Sequence, residues 1–363
     1  MTPSDELAIG IIGAGSIGTR HYSNLEFIPG NRVVAVCDAD DAQATKLASR
    51  AGSSTYPSVD AMFDAEPGLD AVLICVPPGI RRQVFERAAE RDVAVFCEKP
   101  PADSLEHAQA VAHIVRDSGI VCMAGFNMRY LPPVQRMREL LASRTVSLVL
   151  CTYLSAPALT GGFRPWFFDK ARSGGPLLDQ AIHYADLMRY LVGEITSVHA
   201  FGSNVARPKG PGFTVEDTAV STIQFESGAV GYQVHSWAAP WGYTKFEFNG
   251  PDFHLELEPA GNAPGVFGTI GDPKGEGTVV NDAFPRAPSL GRDGSRKPDA
   301  PLDAPPDFMH YQEMVTFLDA VRTGDTSGIL STYADGMRSL AVVLAMNRSI
   351  DSGQVEPVVV PAV

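Results

Sequence analysis

The tightest constraint on this chain is the stretch LAIGIIGAGSIG at residues 7–18, where a short apolar run meets a glycine-rich turn. Leu7 to Ile12 reads as a buried strand, and Gly13, Gly15 and Gly18 make a G-x-G-x-x-G turn directly after it. Such a turn needs backbone angles that glycine adopts cheaply, and the missing Cβ at Gly15 lets a pyrophosphate approach the main chain. N–H groups and the dipole at the start of the following helix then hold the phosphate charge. A second apolar strand, Arg32 to Cys37, ends in Asp38, about 20 residues beyond the last glycine. An acid there can accept hydrogen bonds from both ribose hydroxyls and would repel a 2′-phosphate. The pattern points to a dinucleotide, NAD rather than NADP, against the plainer alternative of an ordinary strand–helix turn.

The rest of the first ~125 residues keeps this rhythm of apolar strand and helix. Apolar runs recur at Val33–Cys37, Ala71–Val76, Val93–Cys97 and Ile120–Ala124. Helical patterns lie between them at Asp40–Arg50, Ile80–Glu90 and Ser104–Asp117, the last with Ser104 as its expected N-cap. Continuous apolar strands separated by helices predict a doubly wound parallel sheet, with its ligand crevice at the C-terminal strand ends. Val76-Pro77-Pro78 and Glu98-Lys99-Pro100-Pro101 sit at two such ends. With 363 residues, the chain exceeds the usual size of a single core, so a second domain is expected. We place the boundary at 125/126. Residues 126–363 contain a helix from Pro132 to Ser143, then long alternating segments at Val146–Leu154, Ile195–Val205, Thr218–Phe225, Ala229–Ser236 and Thr244–Asn249. Period-two patterning predicts a large antiparallel sheet with one open face. Residues 259–306, dense in Gly, Pro and Asp, read as a loop-rich insertion with room for a short hairpin. Helices are expected at His310–Thr323 and Thr332–Ser352.

A net charge of −13 argues against nucleic acid or an anionic membrane as partner. No apolar run approaches the ~18–20 residues that span a bilayer, and Met1–Glu6 lacks the features of a signal peptide. The five cysteines, Cys37, Cys75, Cys97, Cys122 and Cys151, form no C-x-x-C pair and lie in or beside apolar runs. They read as reduced, buried thiols, which suggests a cytoplasmic protein.

Two segments carry candidate chemistry. In Gly174-Gly175-Pro176-Leu-Leu-Asp179-Gln-Ala-Ile-His183-Tyr-Ala-Asp186, a helix would place Asp179, His183 and Asp186 on one face. Histidine suits removal of a hydroxyl proton because its pKa lies near neutrality, and a carboxylate one turn earlier can orient it. A helix that buries Leu178, Ile182 and Leu187 and leaves Asp and His to water is the structural alternative. A metal site on that face is a third reading, disfavoured because no H-x-x-x-H pattern is present. The other candidate is Lys99, at the ligand end of a fully apolar strand, where it can stabilise alkoxide character; a solvated loop lysine is its plainer reading.

In order along the chain, Gly13–Gly18, Asp38, Glu98-Lys99-Pro100 and Asp179-x-x-x-His183 resemble the glucose–fructose oxidoreductase/inositol dehydrogenase (Gfo/Idh/MocA) family. Gly125-Phe-Asn-Met-Arg-Tyr130, Trp166, Glu216-Asp217-Thr218 and Glu313…Phe317-Leu-Asp-Ala-Val-Arg-Thr-Gly324 extend the match. The resemblance implies an α/β protein: an N-terminal Rossmann domain, and a C-terminal α/β domain whose open sheet mediates homodimers or homotetramers. It also implies NAD(P)-dependent redox chemistry on a carbohydrate, inositol or other polyol. Carried over by position, Lys99 and His183 handle the proton and Asp179 binds the substrate hydroxyl. Gly13, Gly15, Ser16, Ile17, Gly18, Asp38, Val76, Pro77, Glu98, Lys99, Asn127 and Trp166 fall in the cofactor-contacting set. Arg129 and Trp166 join the substrate set, and the Lys99–Pro100 peptide is expected to be cis. Departures are Arg81 in place of a frequent histidine, Pro101 for a bulkier apolar residue, Pro176 for a third glycine, and Ala181 for a glycine. None removes a reacting group, but they leave the substrate open. Tyr130, Tyr153, Phe163, Arg164, Tyr184, His235, Trp237 and Trp241 are further aromatic or polar candidates for a sugar pocket. Two rival functions share these residues: glycoside cleavage by transient oxidation, and non-catalytic NAD sensing.

Overall fold

The computed structural model describes residues 6–160, 165–260, 263–271, 277–285 and 308–363. They fall into two compact units, residues 6–130, 308–337 and 361–363 in the first and 131–285 and 338–360 in the second.

The first unit begins β1 (Leu7–Ile12), α1 (Ser16–Leu25), β2 (Asn31–Cys37), α2 (Asp41–Ala51), β3 (Ser54–Tyr56) and α3 (Val59–Ala65). It continues with β4 (Ala71–Ile74), α4 (Arg82–Ala89), β5 (Ala94–Glu98), α5 (Leu105–Ser118) and β6 (Cys122–Gly125). All strand pairs are parallel, in the order β3-β2-β1-β4-β5-β6. That order reverses direction between β1 and β4, which opens a crevice beyond their C-terminal ends. Strands β4 and β5 are buried along their whole length, as continuous apolar runs require. Asp40 caps α2 by accepting from Ala42 and Gln43 N–H, and Ser104 caps α5 by accepting from His107 N–H. Strand β3 has no apolar run of its own, two of its three residues being exposed, and so leaves no periodic signal.

The second unit contains α6 (Pro132–Leu141), β7 (Leu148–Leu154), the single turns α7 (Pro157–Thr160) and α8 (Lys170–Ser173), and α9 (Ile182–Val192). Strands β8 (Ile195–Ser203), β9 (Thr218–Phe225), β10 (Val230–Ser236), β11 (Tyr243–Gly250), β12 (Phe253–Glu258), β13 (Gly265–Ile270) and β14 (Thr278–Ala283) follow. Two helices close the chain, α10 (Phe308–Thr323) and α11 (Tyr333–Ser352), before a short β15 (Glu356–Pro357). The nine-stranded sheet has the order β14-β13-β12-β11-β7-β10-β9-β8-β15. It is antiparallel except where β10 runs parallel to β7. In β9 the alternation is strict: Ala219, Ser221, Ile223 and Phe225 are buried while Val220 and Gln224 face outward.

Three expectations change. α10 belongs to the first unit, where Met314, Phe317 and Leu318 are buried in one cluster with Ile9, Leu25, Val36 and Phe96. Periodicity marks a helix but does not say which sheet it covers, so 126–363 is not one piece of the fold. Strand β12 was not anticipated, although Phe253, Leu255 and Leu257 alternate inward. Within 259–306, β13 and β14 extend the main sheet through antiparallel pairing with β12 and each other. Of that segment, residues 261–262, 272–276 and 286–306 lie outside the described residues, as do Phe163 and Arg164.

Candidate active site

Glycine geometry at the end of β1 fits a pyrophosphate. Gly13 has φ +103°, and a Cβ there would stand 2.7 Å from the Cys75 main chain. The strand ends are stitched together, Gly13 N–H to the Cys37 carbonyl at 2.8 Å and Cys75 N–H to the Ile12 carbonyl at 2.7 Å. Gly15, by contrast, is the N-cap of α1, and a Cβ added to it would meet nothing within 4 Å. This open approach at a helix N-terminus with no acidic residue in its first turn is what a phosphate group needs. Asp38 braces the same loop. Its Oδ2 accepts from Ala14 N–H at 2.6 Å and its Oδ1 from Asp40 N–H at 2.8 Å, so the carboxylate is fixed at the end of β2.

Lys99 follows β5 and is half-buried, and the Lys99–Pro100 peptide is cis as the resemblance implies. Beneath it lies a polar network among α1, β5 and α10. Glu98 is buried and accepts from His21 Nε2 at 2.7 Å and from Lys99 N–H at 3.1 Å. Burial opposes ionisation of Glu98, but the His21 hydrogen bond and the nearby charges outweigh it and hold its pKa at about 2. Burial lowers the pKa of His21, against the raising effect of the Glu98 carboxylate to which it donates. Carboxylate and imidazole atoms of His21, Glu98 and Glu313 all lie within 4.8 Å of one another. Asn127, from the turn after β6, donates to His310 Nε2 at 2.9 Å. Arg81, which the sequence marked only as a departure, proves to be a buried cross-brace of the Lys99 loop; its donors reach the carbonyls of Val76, Glu98 and Pro100.

In the second unit the Gly174-Gly175 pair leads into the other candidate segment. Both glycines have positive φ, at +72° and +77°, and a Cβ on Gly174 would stand 2.1 Å from Leu178 Cδ2. Pro176 sits where a helix begins, at φ −61°, which explains why proline is accepted there. Residues Leu177–Ala181 form a π-helical turn that runs into α9. Such turns carry one extra residue per repeat and re-aim side chains, and the carbonyls they strand need other partners. Gln233 of β10 donates to the Ala181 carbonyl at 3.1 Å, and Trp237 Nε1 donates to Gln180 Oε1 at 2.5 Å. Asp179 and His183 are both half-buried on this segment. Behind them His235 stacks on Tyr153 at 4.7 Å between centroids, and Tyr153 on Tyr184 at 4.8 Å. Burial drives the pKa of His235 down to about 3, so its ring is neutral.

Several sequence candidates take other roles. Asp186 is 1 % exposed and accepts from Ser339 Oγ at 2.8 Å, and the π turn interrupts the 3.6-residue spacing between Asp179 and the α9 residues His183 and Asp186. Arg129 is tied into the first unit: it is 3 % exposed, donates to the Leu330 carbonyl and stands 3.8 Å from Asp335. Asn127 is likewise buried, its Nδ2 donating to His310 while its Oδ1 has no hydrogen-bond partner among the described residues. Of the aromatic candidates, Tyr184, His235 and Trp237 are core, and Trp241 is 78 % exposed. Tyr130 is half-buried in the first unit, its hydroxyl accepting from Leu330 N–H. Trp166 is half-buried on the turn Pro165–Phe168, stacked on Phe167 at 4.0 Å. The two groups of His and acidic residues that could gather on a metal, among the described residues, are His21–Glu98–Glu313 and Glu247–His254–Glu256. Neither includes Asp179 or His183. All five thiols are free, and burial raises the pKa of each.

A six-stranded sheet in this order, with an open glycine loop at its switch point, defines a dinucleotide-binding Rossmann fold. Residues 7–126 match the Gfo/Idh/MocA oxidoreductase family, NAD-binding Rossmann fold, and residues 134–256 match the Gfo/Idh/MocA C-terminal domain. The chain belongs to this family and is an NAD-dependent oxidoreductase. It is 31 % identical to an uncharacterised oxidoreductase of Bacillus subtilis, YrbE, over 66 % of this chain and 69 % of that one. It is also 28 % identical to the scyllo-inositol 2-dehydrogenase (NAD(+)) of the same organism, over 94 % of both. Among solved structures, levoglucosan dehydrogenase in complex with NADH and levoglucosan shares the fold, with TM-score 0.79 and 23 % identity over 98 % of this chain and all of that one.

Proposed function

We propose that the enzyme oxidises a secondary or anomeric hydroxyl of a sugar, inositol or related polyol, with Lys99, Asp179 and His183 as its reacting residues. The observation that carries this reading is the effort the fold spends on those side chains. Lys99 rides on a loop braced by Glu98 and Arg81. Asp179 lies on a π turn that leads into His183 on α9, and the Ala181 carbonyl of that turn accepts from Gln233 of β10. Relatives named as inositol and levoglucosan dehydrogenases support the substrate class.

The Gly13–Gly18 loop and Asp38 would hold NAD, which supplies a hydride acceptor for the carbinol carbon. As the C–H bond gives up its hydride, the O–H proton must leave, and His183 accepts it. Lys99 stabilises the alkoxide that develops on the same oxygen, while Asp179 fixes the hydroxyl's direction. Asp38 favours NAD over NADP through repulsion of a 2′-phosphate. Phe201, Val220, Val230 and Tyr243 leave apolar surface on the outer side of the sheet, and we assign that face to a homodimer or homotetramer interface. Free thiols suit a reducing compartment such as the cytoplasm.

Lys99→Met and His183→Ala are each expected to lower kcat by about 10²–10⁴-fold and to leave NAD affinity within a few-fold of wild type. A panel of sugars and inositols, run with NAD and NADP in parallel and followed by net NADH or NADPH formation, identifies the substrate. Wild-type turnover in both variants would overturn the assignment, and product without net reduced cofactor would overturn simple dehydrogenation.

A further inference from the structure

We propose that Arg81 is a positioning residue for Lys99, holding the lysine's main chain in the geometry that turnover requires. The inference rests on the reading of Lys99 as a reacting residue. Arg81 is 4 % exposed and lies just before α4, across the ends of β4 and β5. Its Nε and Nη2 donate to the Val76 carbonyl at 2.8 and 2.7 Å. Its Nη1 donates to the carbonyls of Glu98 and Pro100, and stands 3.6 Å from Cys97 Sγ.

Those last two carbonyls belong to the residues on either side of Lys99. The Lys99 N–H is taken up by Glu98 Oε2, and Glu98 is itself fixed by His21. The main chain is therefore held before, at and after Lys99, and only the lysine side chain keeps exposed surface. A planar guanidinium with five donors can span carbonyls on two strand ends at once; an ammonium is a compact point donor and an imidazole offers two donors at most. This matters because the position is one where the resembled family often carries histidine. In this chain the brace is broader, and it uses the carbonyls themselves to solvate a buried cation.

Removal of the fork strands three carbonyls in a buried place, and the loop relaxes to satisfy them. Misplacement of a reacting group by about 1 Å costs on the order of 10²-fold in rate. Arg81→Ala is accordingly expected to lower kcat by about 10²-fold, with substrate KM and NAD affinity changed only a few-fold. Guanidinium ion at a sub-denaturing concentration should recover a tenth or more of the lost kcat in Arg81→Ala and none in Lys99→Met. Arg81→Lys, which keeps the charge and loses the fork, should remain slow. Wild-type kcat in folded Arg81→Ala, a loss confined to NAD affinity, or no response to guanidinium would overturn the proposal. Should Arg81→Ala fail to fold, Arg81→Lys decides: a wild-type kcat there overturns the proposal and a slow one supports it. Turnover that survives Lys99→Met would instead overturn the role of Lys99 on which this inference stands.

Discussion

The two candidate segments hold the side chains proposed to react by different means. Lys99 sits where a parallel sheet delivers every strand end to one side, and its neighbours on the chain are tied by braces from His21 of α1 and from Arg81. Asp179 and His183 sit on helix, and that helix is deformed into a π turn so that β10 must reach up to complete its hydrogen bonds. The first arrangement follows from topology and is reinforced by His21, 77 residues from Glu98, and by Arg81, 17 residues from it. The second depends on Gln233 of β10, 52 residues from Ala181. Parallel α/β architecture places a ligand crevice by rule, whereas a helix lying on an antiparallel sheet has no such rule and must be shaped side chain by side chain.

Three perturbations would break or sharpen that contrast. The largest effect is expected at Gly15, whose Cβ position is open and whose φ of −70° any residue can adopt. Gly15→Val should fold with an unchanged melting temperature and lose NAD affinity by about 10²-fold or more, as calorimetric titration would read; unchanged affinity would mean that the pyrophosphate does not pass there.

The next concerns the second unit and pH. Burial holds His235 at about 3 against an ordinary 6.5, so the folded ring stays neutral while an unfolded one takes up a proton below pH 6.5. Its contribution is therefore greatest above pH 6.5 and declines as pH falls towards 3. Between pH 7 and pH 5 that decline amounts to about 2 kcal/mol at 1.36 kcal/mol per unit, and urea titrations should show His235→Phe losing correspondingly less than wild type. Equal losses in the two proteins would mean that the ring is protonated in the fold.

The smallest effect is expected from Gln233→Leu, which leaves the Ala181 carbonyl without its donor. About 1–2 kcal/mol of stability should go, with kcat falling more than KM rises because the π turn also aims Asp179 and His183. A stability loss with no change in kcat would separate the turn's packing role from its catalytic one.

Legibility in the sequence followed the same divide. The glycine loop, Asp38, the strand ends and Lys99 were all readable because each signal is local: an apolar run, a glycine at a fixed offset, a proline after a strand. Trp237 and His235 appeared only as aromatic candidates, and their burial came as a correction, since composition says nothing about which face a ring takes. The uniform 3.6-residue period expected from Asp179 onward is interrupted by the π turn at Leu177–Ala181, which no pattern of residue types announced. His21 left a weaker trace, as a buried polar residue on α1, and that clash between residue type and burial is the signal that could have found it.

The sequence by itself determined the first unit's sheet, its crevice, its glycine loop and the residue types of the two candidate segments. Those properties depend on contacts within a few tens of residues and on backbone preferences carried by single amino acids. Only the tertiary structure decided that α10 covers the first sheet, that Arg81 braces Lys99 through three carbonyls, and that Gln233 completes the turn carrying Asp179 and His183. Each of these joins groups far apart in the chain or turns on side-chain direction, and neither can be read from a one-dimensional pattern.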